Sequence, residues 1–428
     1  MTFFLLLIAL AILMALRMPI AFAMGVTGFI GLALQLGPMP ALAVLERAFF
    51  DKSSSFILVA IPLFILMAEI LTSGDVTRRA IVACQAWIGH VKGGLAMATV
   101  GASVLLAALV GSSTASTAAM AASAFPEMRR HGYNERLAAA VVSVGGTLAV
   151  VVPPSIVLVV YGVLTESSIG QLFIAGIVPG LLTALGLIVV IKIIAMRTDY
   201  APKGEPFHLG RAIRLSSSVI PMVLLILAVI GAIYGGIASP TEAAGLGVMG
   251  SFLIVLCQRT LKLTAVSRSL SRSISATVMI IAIIVCSSVF ANYLAFTGVT
   301  QAVLVALAET ELSRWSILAI MVAILLVMGM LMDQLAILSL AMPLAFPAAM
   351  SLGFDPIWFG IIVTKTVEIG LLTPPLGLNA YVASAQTGVP LRNIFRGLLP
   401  FIVMEMIVLL LLLAFPQITL FLPALMFG

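Results

Sequence analysis

The sequence contains very little charge. Only 9% of its 428 residues are charged and 62% are hydrophobic, whereas a soluble protein carries about 25% charged residues. The long apolar runs exclude a soluble domain and favour membrane-spanning helices over a barrel of alternating strands. The net charge of +6 does not indicate nucleic-acid binding, because the basic residues cluster in loops between apolar runs, as the positive-inside rule expects.

Cysteine and histidine are also scarce, with three of each. Because no CxxC or HExxH spacing occurs, the sequence predicts neither a disulfide framework nor a zinc site. It has no GxSxG motif, and no haem or nucleotide-binding fingerprint stands out. An intramembrane enzyme is therefore disfavoured, since it would need a nucleophile with a base or a metal cluster.

Ten apolar runs are long enough to cross, or nearly cross, a membrane. They cover residues 1–16, 19–36, 54–72, 136–165, 171–196, 216–238, 240–257, 274–296, 357–388 and 397–427. Two further stretches, 94–125 and 315–346, are apolar but interrupted by the short polar tips GSSTAST and MDQ. Since these tips are too short for a loop in water, both stretches are predicted to be re-entrant helical hairpins. Non-helical backbone is tolerated at that depth only inside protein or beside a water-filled cavity.

A proline pair reveals an internal repeat. Pro153-Pro154 returns as Pro374-Pro375, and the same shift of 221 residues relates Phe125-Pro126 to Phe346-Pro347. Paired, proline-broken membrane segments are the best sequence pointer to a transporter's binding site. The loop PEMRRHGYNER after the first hairpin is basic, whereas its counterpart PAAMSLGFDP has no Lys or Arg. Equivalent loops on opposite faces would differ in this way, so the repeat is predicted to be inverted.

The first hairpin tip is the densest hydroxyl cluster of the chain. A turn between two half-helices exposes free N–H groups, which suit a carboxylate, and free carbonyls, which with hydroxyls suit Na⁺. The alternative is that the hydroxyls only close the turn and satisfy the helix ends. The candidate residues are Ser112, Ser113, Thr114, Ser116 and Thr117.

The second tip and the two helix breaks offer further oxygens. Asp333 at the second tip is costly at membrane depth and therefore indicates function, with capping of the next helix as the alternative. Each proline pair frees a backbone carbonyl, a natural cation ligand, unless the break is a simple packing kink. Side chains near the breaks that add oxygen are Thr147, Ser155, Thr373 and Asn379.

Lys365 and Glu368 share one helix face just before the second break. They either pair only with each other or take part in the site. Glu368 corresponds to Thr147 by the same shift of 221 residues. The repeat therefore predicts that Glu368 faces the region of the site.

Several of these motifs resemble the large membrane subunit of TRAP transporters, the tripartite ATP-independent periplasmic family. They are GSSTAST, FPEMRRHGY, GGTLAVVVPPS and EIGLLTPPLGLN, and the likeness covers essentially the whole chain. It implies import of an organic acid (a dicarboxylate, sialic acid or sugar acid) coupled to Na⁺, with no organic cofactor. It also implies a small membrane subunit and a periplasmic solute-binding protein as partners, in the lipid bilayer of the bacterial inner membrane.

The resemblance further implies an elevator-type fold, in which a transport domain slides against a scaffold, and sodium between each hairpin tip and its broken helix. Together with the residues above, the candidate sodium ligands are Ser112, Ser113, Thr147, Val151, Pro153 and Ser155, then Met332, Asp333, Gln334, Glu368, Thr373 and Gly377. Substrate is expected at the first-tip hydroxyls and Asn379.

The expected organisation has four segments and places both termini outside, in the periplasm. Residues 1–93 and 197–314 form the scaffold and arm helices of the two repeats, and residues 94–196 and 315–428 form the two halves of the transport domain. The alternative function is a stand-alone ion antiporter or anion carrier of related inverted-repeat architecture, which would work without partner proteins.

Overall fold

The structure of the chain is a computed structural model, which describes residues 2–73, 76–202, 204, 206–258, 263–309 and 311–427. Over these ranges it is all-helical, without a strand. The helices of the first half are α1 (Thr2–Ala15), α2 (Ile20–Leu36), α3 (Pro38–Ser53), α4 (Ala60–Ser73), α5 (Val76–Ile88), α6 (Gly94–Val110), α7 (Ser113–Arg130), α8 (Glu135–Val151), α9 (Ile156–Thr165) and α10 (Ile169–Arg197). Those of the second half are α11 (Leu209–Ser216), α12 (Ile220–Tyr234), α13 (Pro240–Cys257), α14 (Leu263–Phe296), α15 (Val299–Glu309), α16 (Arg314–Leu331), α17 (Gln334–Ser351), α18 (Pro356–Gly370), α19 (Leu378–Thr387), α20 (Leu391–Ala414) and α21 (Gln417–Phe427).

The helices confirm a polytopic membrane protein. Within the described ranges, eight helical segments are long and apolar enough to cross a membrane, or nine if α11 and α12, which meet at a 56° bend, form one span. α8 and α9 count as one such segment. α1, α2 and α6 are apolar but shorter than 18 residues.

Both predicted hairpins consist of two helices that pack against each other across a break of two residues. Gly111 and Ser112 separate α6 from α7, and Met332 and Asp333 separate α16 from α17. Gly111 has φ +59°, a left-handed conformation that glycine adopts without steric cost and that commonly ends a helix. The position of each break therefore follows from the tip sequence.

The inverted repeat is visible in the packing. α6 packs on α8 as α16 packs on α18, so the first arm of each hairpin contacts the broken helix of its own half. α7 packs on α19 as α17 packs on α9, so each second arm also reaches the broken helix of the other half. The two repeats are consequently interlocked around the breaks.

Buried hydrophobic residues form two clusters. The smaller one joins α1, α2 and α3 to the end of α14, and the larger one holds most of the remaining helices. A Cβ on Gly28 of α2 would lie 2.8 Å from the Phe290 Cα of α14. Such small residues allow the two helices to pack backbone to backbone.

The structure corrects two of the predicted boundaries. Residues 38–53, left outside the apolar runs, form α3, which starts at Pro38, a residue preorganised for the first helical turn. The run 397–427 is divided between α20 and α21, because Phe415 precedes Pro416 and leaves the helical region with φ −127° and ψ 77°.

Candidate functional site

The first hairpin tip turns its hydroxyls in two directions. Ser113, Ser116 and Thr117 are fully buried on one face of α7. Ser112, which precedes the helix, and Thr114 are half-buried, and their hydroxyl oxygens are 3.4 Å apart. The predicted cluster is therefore divided into a buried trio and a more accessible pair.

The buried hydroxyls meet a residue from the other repeat. The Asn379 Nδ2 atom of α19 donates to the Ser113 Oγ atom at 2.6 Å and to the Ser143 carbonyl of α8 at 3.4 Å. The Thr117 hydroxyl donates to the same Ser143 carbonyl at 3.4 Å. We call Ser113, Thr117, Ser143 and Asn379 the first-tip junction. Sequence reasoning placed Asn379 at the second break and missed Ser143, whose signal was a hydroxyl within the apolar run AAAVVSVGG.

Two oxygens, one in the junction and one on the same buried face of α7, have no hydrogen-bond partner among the described residues. They are the Ser116 hydroxyl and the Asn379 Oδ1 atom, and both are buried. Leaving a buried polar group unpaired costs about 1–3 kcal/mol, so such groups are rare unless a ligand or ion uses them. The junction is therefore an oxygen-rich site with free acceptors, suited to a hard cation or to a donor on a substrate.

The first break lies against the same tip. A Cβ on Gly111 would be 3.0–3.3 Å from atoms of Ile156, the first residue of α9. Within the break, Ser155 caps α9 and donates its hydroxyl proton to the Val150 carbonyl at 2.6 Å, and the neighbouring Val151 and Pro153 are buried. The structure thus brings the first tip and the first break together, as predicted.

Thr147 has a different neighbour. Its hydroxyl donates to the Val144 carbonyl at 2.7 Å and lies beside the Glu368 carboxylate of α18. Ser143 precedes Thr147 by four residues, which is about one helical turn. Thr147 therefore stands between the first-tip junction and Glu368.

The second tip is built around helix capping. The Asp333 carboxylate accepts from the backbone N–H of Leu335 at 3.3 Å, so the capping alternative describes its observed contact. Gln334 is buried and its Oε1 atom has no partner within the described ranges, whereas Met332 is half-buried. One turn before the tip, a Cβ on Gly329 would lie 2.9 Å from the Gly370 Cα at the end of α18. Direct backbone contact thus holds the second tip near the second break.

The second break is more open than the first. Pro374 and Pro375 are exposed, whereas Pro153 and Pro154 are buried. The half-buried Thr373 donates its hydroxyl proton to the Ile369 carbonyl at 2.7 Å, and Gly377 has φ +56° immediately before α19. These positions place carbonyls and one hydroxyl at an accessible break.

A fully buried group of charged side chains lies between α18 and α20. The Lys365 Nζ atom is 3.1 Å from the Glu368 Oε2 atom, donates to the Thr183 hydroxyl at 2.8 Å, and contacts the Glu405 carboxylate. We call Lys365, Glu368 and Glu405 the charge cluster. The pairing of Lys365 with Glu368 is thus observed. Sequence reasoning missed Glu405, although a single carboxylate within the apolar α20 was a signal.

An inverted repeat of helices with two hairpins, two broken helices and a buried oxygen-rich junction defines an integral membrane transporter rather than an enzyme. The crystal structure of the Alcanivorax borkumensis YdaH transporter has a similar fold, with a TM-score of 0.61 at 14% identity over 89% of each chain. The sequence model of a protein family, described as the DctM component of the tripartite ATP-independent periplasmic transporter, matches residues 7–418 of this chain. The chain belongs to this family, which confirms the resemblance.

Two relatives illustrate the range of the family. The chain is 40% identical to the C4-dicarboxylate TRAP transporter large permease protein DctM of Pseudomonas aeruginosa, over 87% of this chain and 88% of that protein. It is 32% identical to the ectoine TRAP transporter large permease protein TeaC of Halomonas elongata, over 97% of each. Proteins similar to this chain therefore bear the names of different organic solutes.

Proposed function

We propose that the chain is the large subunit of a sodium-coupled importer of an organic acid in the bacterial inner membrane. The observation that carries the proposal is the first-tip junction, where Asn379 of one repeat donates to Ser113 of the other at 2.6 Å. Within the described ranges, the buried Asn379 Oδ1 atom of this junction has no hydrogen-bond partner. A site between two inverted repeats, made of broken helices, is where transporters of this architecture bind solute and ion.

The substrate class is supported by the first tip. α7 begins at Ser113, so its first N–H groups point toward the break and favour an anionic group. The relatives named for C4-dicarboxylates and ectoine transport solutes that carry carboxylates. We infer that a carboxylate of the substrate binds at the start of α7, near the half-buried Ser112 and Thr114.

The coupling ion is supported by the kind of ligand available. The tips and breaks present hydroxyl, amide and carbonyl oxygens, which are the ligands that hard cations prefer. We infer one sodium site at each tip. The first involves the Ser112–Ser116 turn and the first break, and the second involves Asp333, Gln334 and the second break.

The partner proteins of the transporter follow from the family. Its description as tripartite makes the DctM component one of three, so we infer a small membrane subunit and a periplasmic solute-binding protein as partners. An elevator motion would slide the second hairpin along α1, α14 and α15. An almost wholly apolar groove of about 610 Å³ separates these elements.

Solute uptake into proteoliposomes tests the proposal. We expect uptake from a panel of organic acids only when the small subunit, the binding protein and an inward Na⁺ gradient are all present. Replacing Na⁺ by choline at equal ionic strength is the control for the gradient. Uptake by the large subunit alone would instead favour a stand-alone carrier, and uptake indifferent to Na⁺ would reject the coupling.

A further inference from the structure

The charge cluster lies outside the two sodium sites proposed above, although the sequence placed Glu368 among the candidate ligands, and it is entirely enclosed. Lys365, Glu368 and Glu405 each have no exposed surface. The Lys365 ammonium has three N–H donors, and all three have partners, namely Glu368, Thr183 and Glu405. The Thr183 hydroxyl in turn donates to the Pro179 carbonyl at 2.9 Å. The cluster is thus a built arrangement that joins α18 to α10 and α20.

The charges of this cluster do not cancel. At their ordinary charges, two carboxylates and one ammonium leave one negative charge in excess. The nearest other basic residues along α10 and α20, Lys192 and Arg396, are each nine residues from Thr183 and Glu405, which is about 13 Å along a helix. Burying an unpaired charge costs several kcal/mol, so a compensating positive charge is expected nearby.

The carboxylates also have unused oxygens. The Oε1 atoms of Glu368 and Glu405 are buried and have no hydrogen-bond partner within the described part of the chain. Of the two carboxylates, Glu368 is the one that lies beside Thr147 of α8. Thr147 is about one helical turn from Ser143, whose carbonyl accepts from Thr117 and Asn379.

We propose that the charge cluster is the countercharge for the cation bound at the first hairpin tip, so that the net charge of Lys365, Glu368 and Glu405 sets the sodium affinity. The cluster does not coordinate the ion; it acts through the electrostatic field across Thr147. This inference rests on the proposed sodium coupling. At an effective dielectric constant of ~20, a unit charge on the order of 10 Å from a cation changes its affinity on the order of tenfold. Burial protects that interaction from screening by salt.

Substitutions that change only the net charge of the cluster test the proposal. Glu405→Gln makes the cluster neutral, Lys365→Gln makes it doubly negative, and the double substitution restores a single negative charge. We expect Glu405→Gln to raise the half-saturating Na⁺ concentration on the order of tenfold. Lys365→Gln should lower it, and the double variant should return it to within about threefold of wild type.

Two readouts are needed. One is sodium-dependent uptake in the reconstituted transporter, and the other is the rise in the thermal unfolding midpoint of the purified chain in NaCl relative to choline chloride. Glu46→Gln is the matched control, because it removes a carboxylate that is exposed on α3. It should leave both readouts within about twofold of wild type.

The outcomes separate this inference from the proposed function. If wild type shows neither sodium-dependent uptake nor sodium-dependent stabilisation, the proposed coupling fails. If wild type responds to Na⁺ but Glu405→Gln responds equally, a proton or another group neutralises the cluster and the inference is wrong. A double variant as impaired as Glu405→Gln would show a merely structural role and would also overturn it. Should Glu405→Gln not fold, tighter sodium binding in Lys365→Gln than in the double variant still decides the question.

Discussion

Asn379 is the residue that joins the two repeats at the first tip. Asn379→Ala removes its hydrogen bond to Ser113 and leaves the serine hydroxyl without that donor. Because such a loss inside a protein costs about 1–3 kcal/mol, we expect the initial uptake rate to fall on the order of tenfold. Asn393→Ala, at the start of α20, is the control and should transport normally. Combining Asn379→Ala with Ser113→Ala should add little, since both remove the same bond; additive losses would contradict the contact.

At the second tip, two substitutions separate charge from capping. Asp333→Asn keeps a side-chain oxygen for the Leu335 N–H, whereas Asp333→Ala loses both the oxygen and the charge. If the carboxylate is a sodium ligand, we expect both variants to raise the half-saturating Na⁺ concentration, by about tenfold. If Asp333 is only a cap, Asp333→Asn will behave as wild type.

Asp355 provides the matched control for that experiment. It caps α18 through the Ile357 and Trp358 N–H groups at 2.8 and 2.9 Å, and it lies away from the tips in sequence. Asp355→Ala should therefore cost about 1 kcal/mol of stability and leave the sodium requirement unchanged. The thermal unfolding midpoint and sodium titrations of uptake measure the two effects separately.

At the scale of elements, the contact between α16 and α18 holds the second hairpin against its broken helix. A Cβ on Gly370 would lie 2.5 Å from the Gly329 Cα and 3.0 Å from the Leu326 carbonyl oxygen. Because these are backbone atoms, the helices must separate. Gly370→Ala is expected to cost about 1–3 kcal/mol of unfolding free energy and to reduce uptake. Gly245→Ala in α13, where a Cβ meets open space, should change neither the unfolding midpoint nor uptake.

The breaks and tips were predictable as elements because their causes are local. Single prolines such as Pro126, Pro179 and Pro400 lie inside continuous helices. The pairs at Pro153 and Pro374 interrupt theirs, because a proline removes a backbone donor and the residue before it is pushed out of the helical region. The same rule explains the interruption at Pro416, which the apolar run concealed. α3 was not predicted, because its charged residues make it less apolar than a membrane-spanning run.

At the scale of the whole molecule, the orientation in the membrane stays a prediction. An inverted repeat with basic residues concentrated in the loops after α7 and α10 places both termini in the periplasm. An alkaline phosphatase fusion at the C-terminus should accordingly be active, and a green fluorescent protein fusion there should be dark. The same reporters fused after Arg214 should give the reverse pattern. Fluorescence of both the C-terminal fusion and the fusion after Arg214 would mean an even number of crossings in the second half.

The sequence by itself determined the class of this protein, because membrane burial, helix breaking and repeat symmetry are written in composition, proline positions and spacing. It also located the tips and both breaks. Only the tertiary structure decided that Asn379 meets Ser113 and that Glu405 completes the cluster of Lys365 and Glu368. These partners lie 266 and 40 residues apart in sequence. Such contacts depend on how helices pack across the two repeats, which no local pattern encodes.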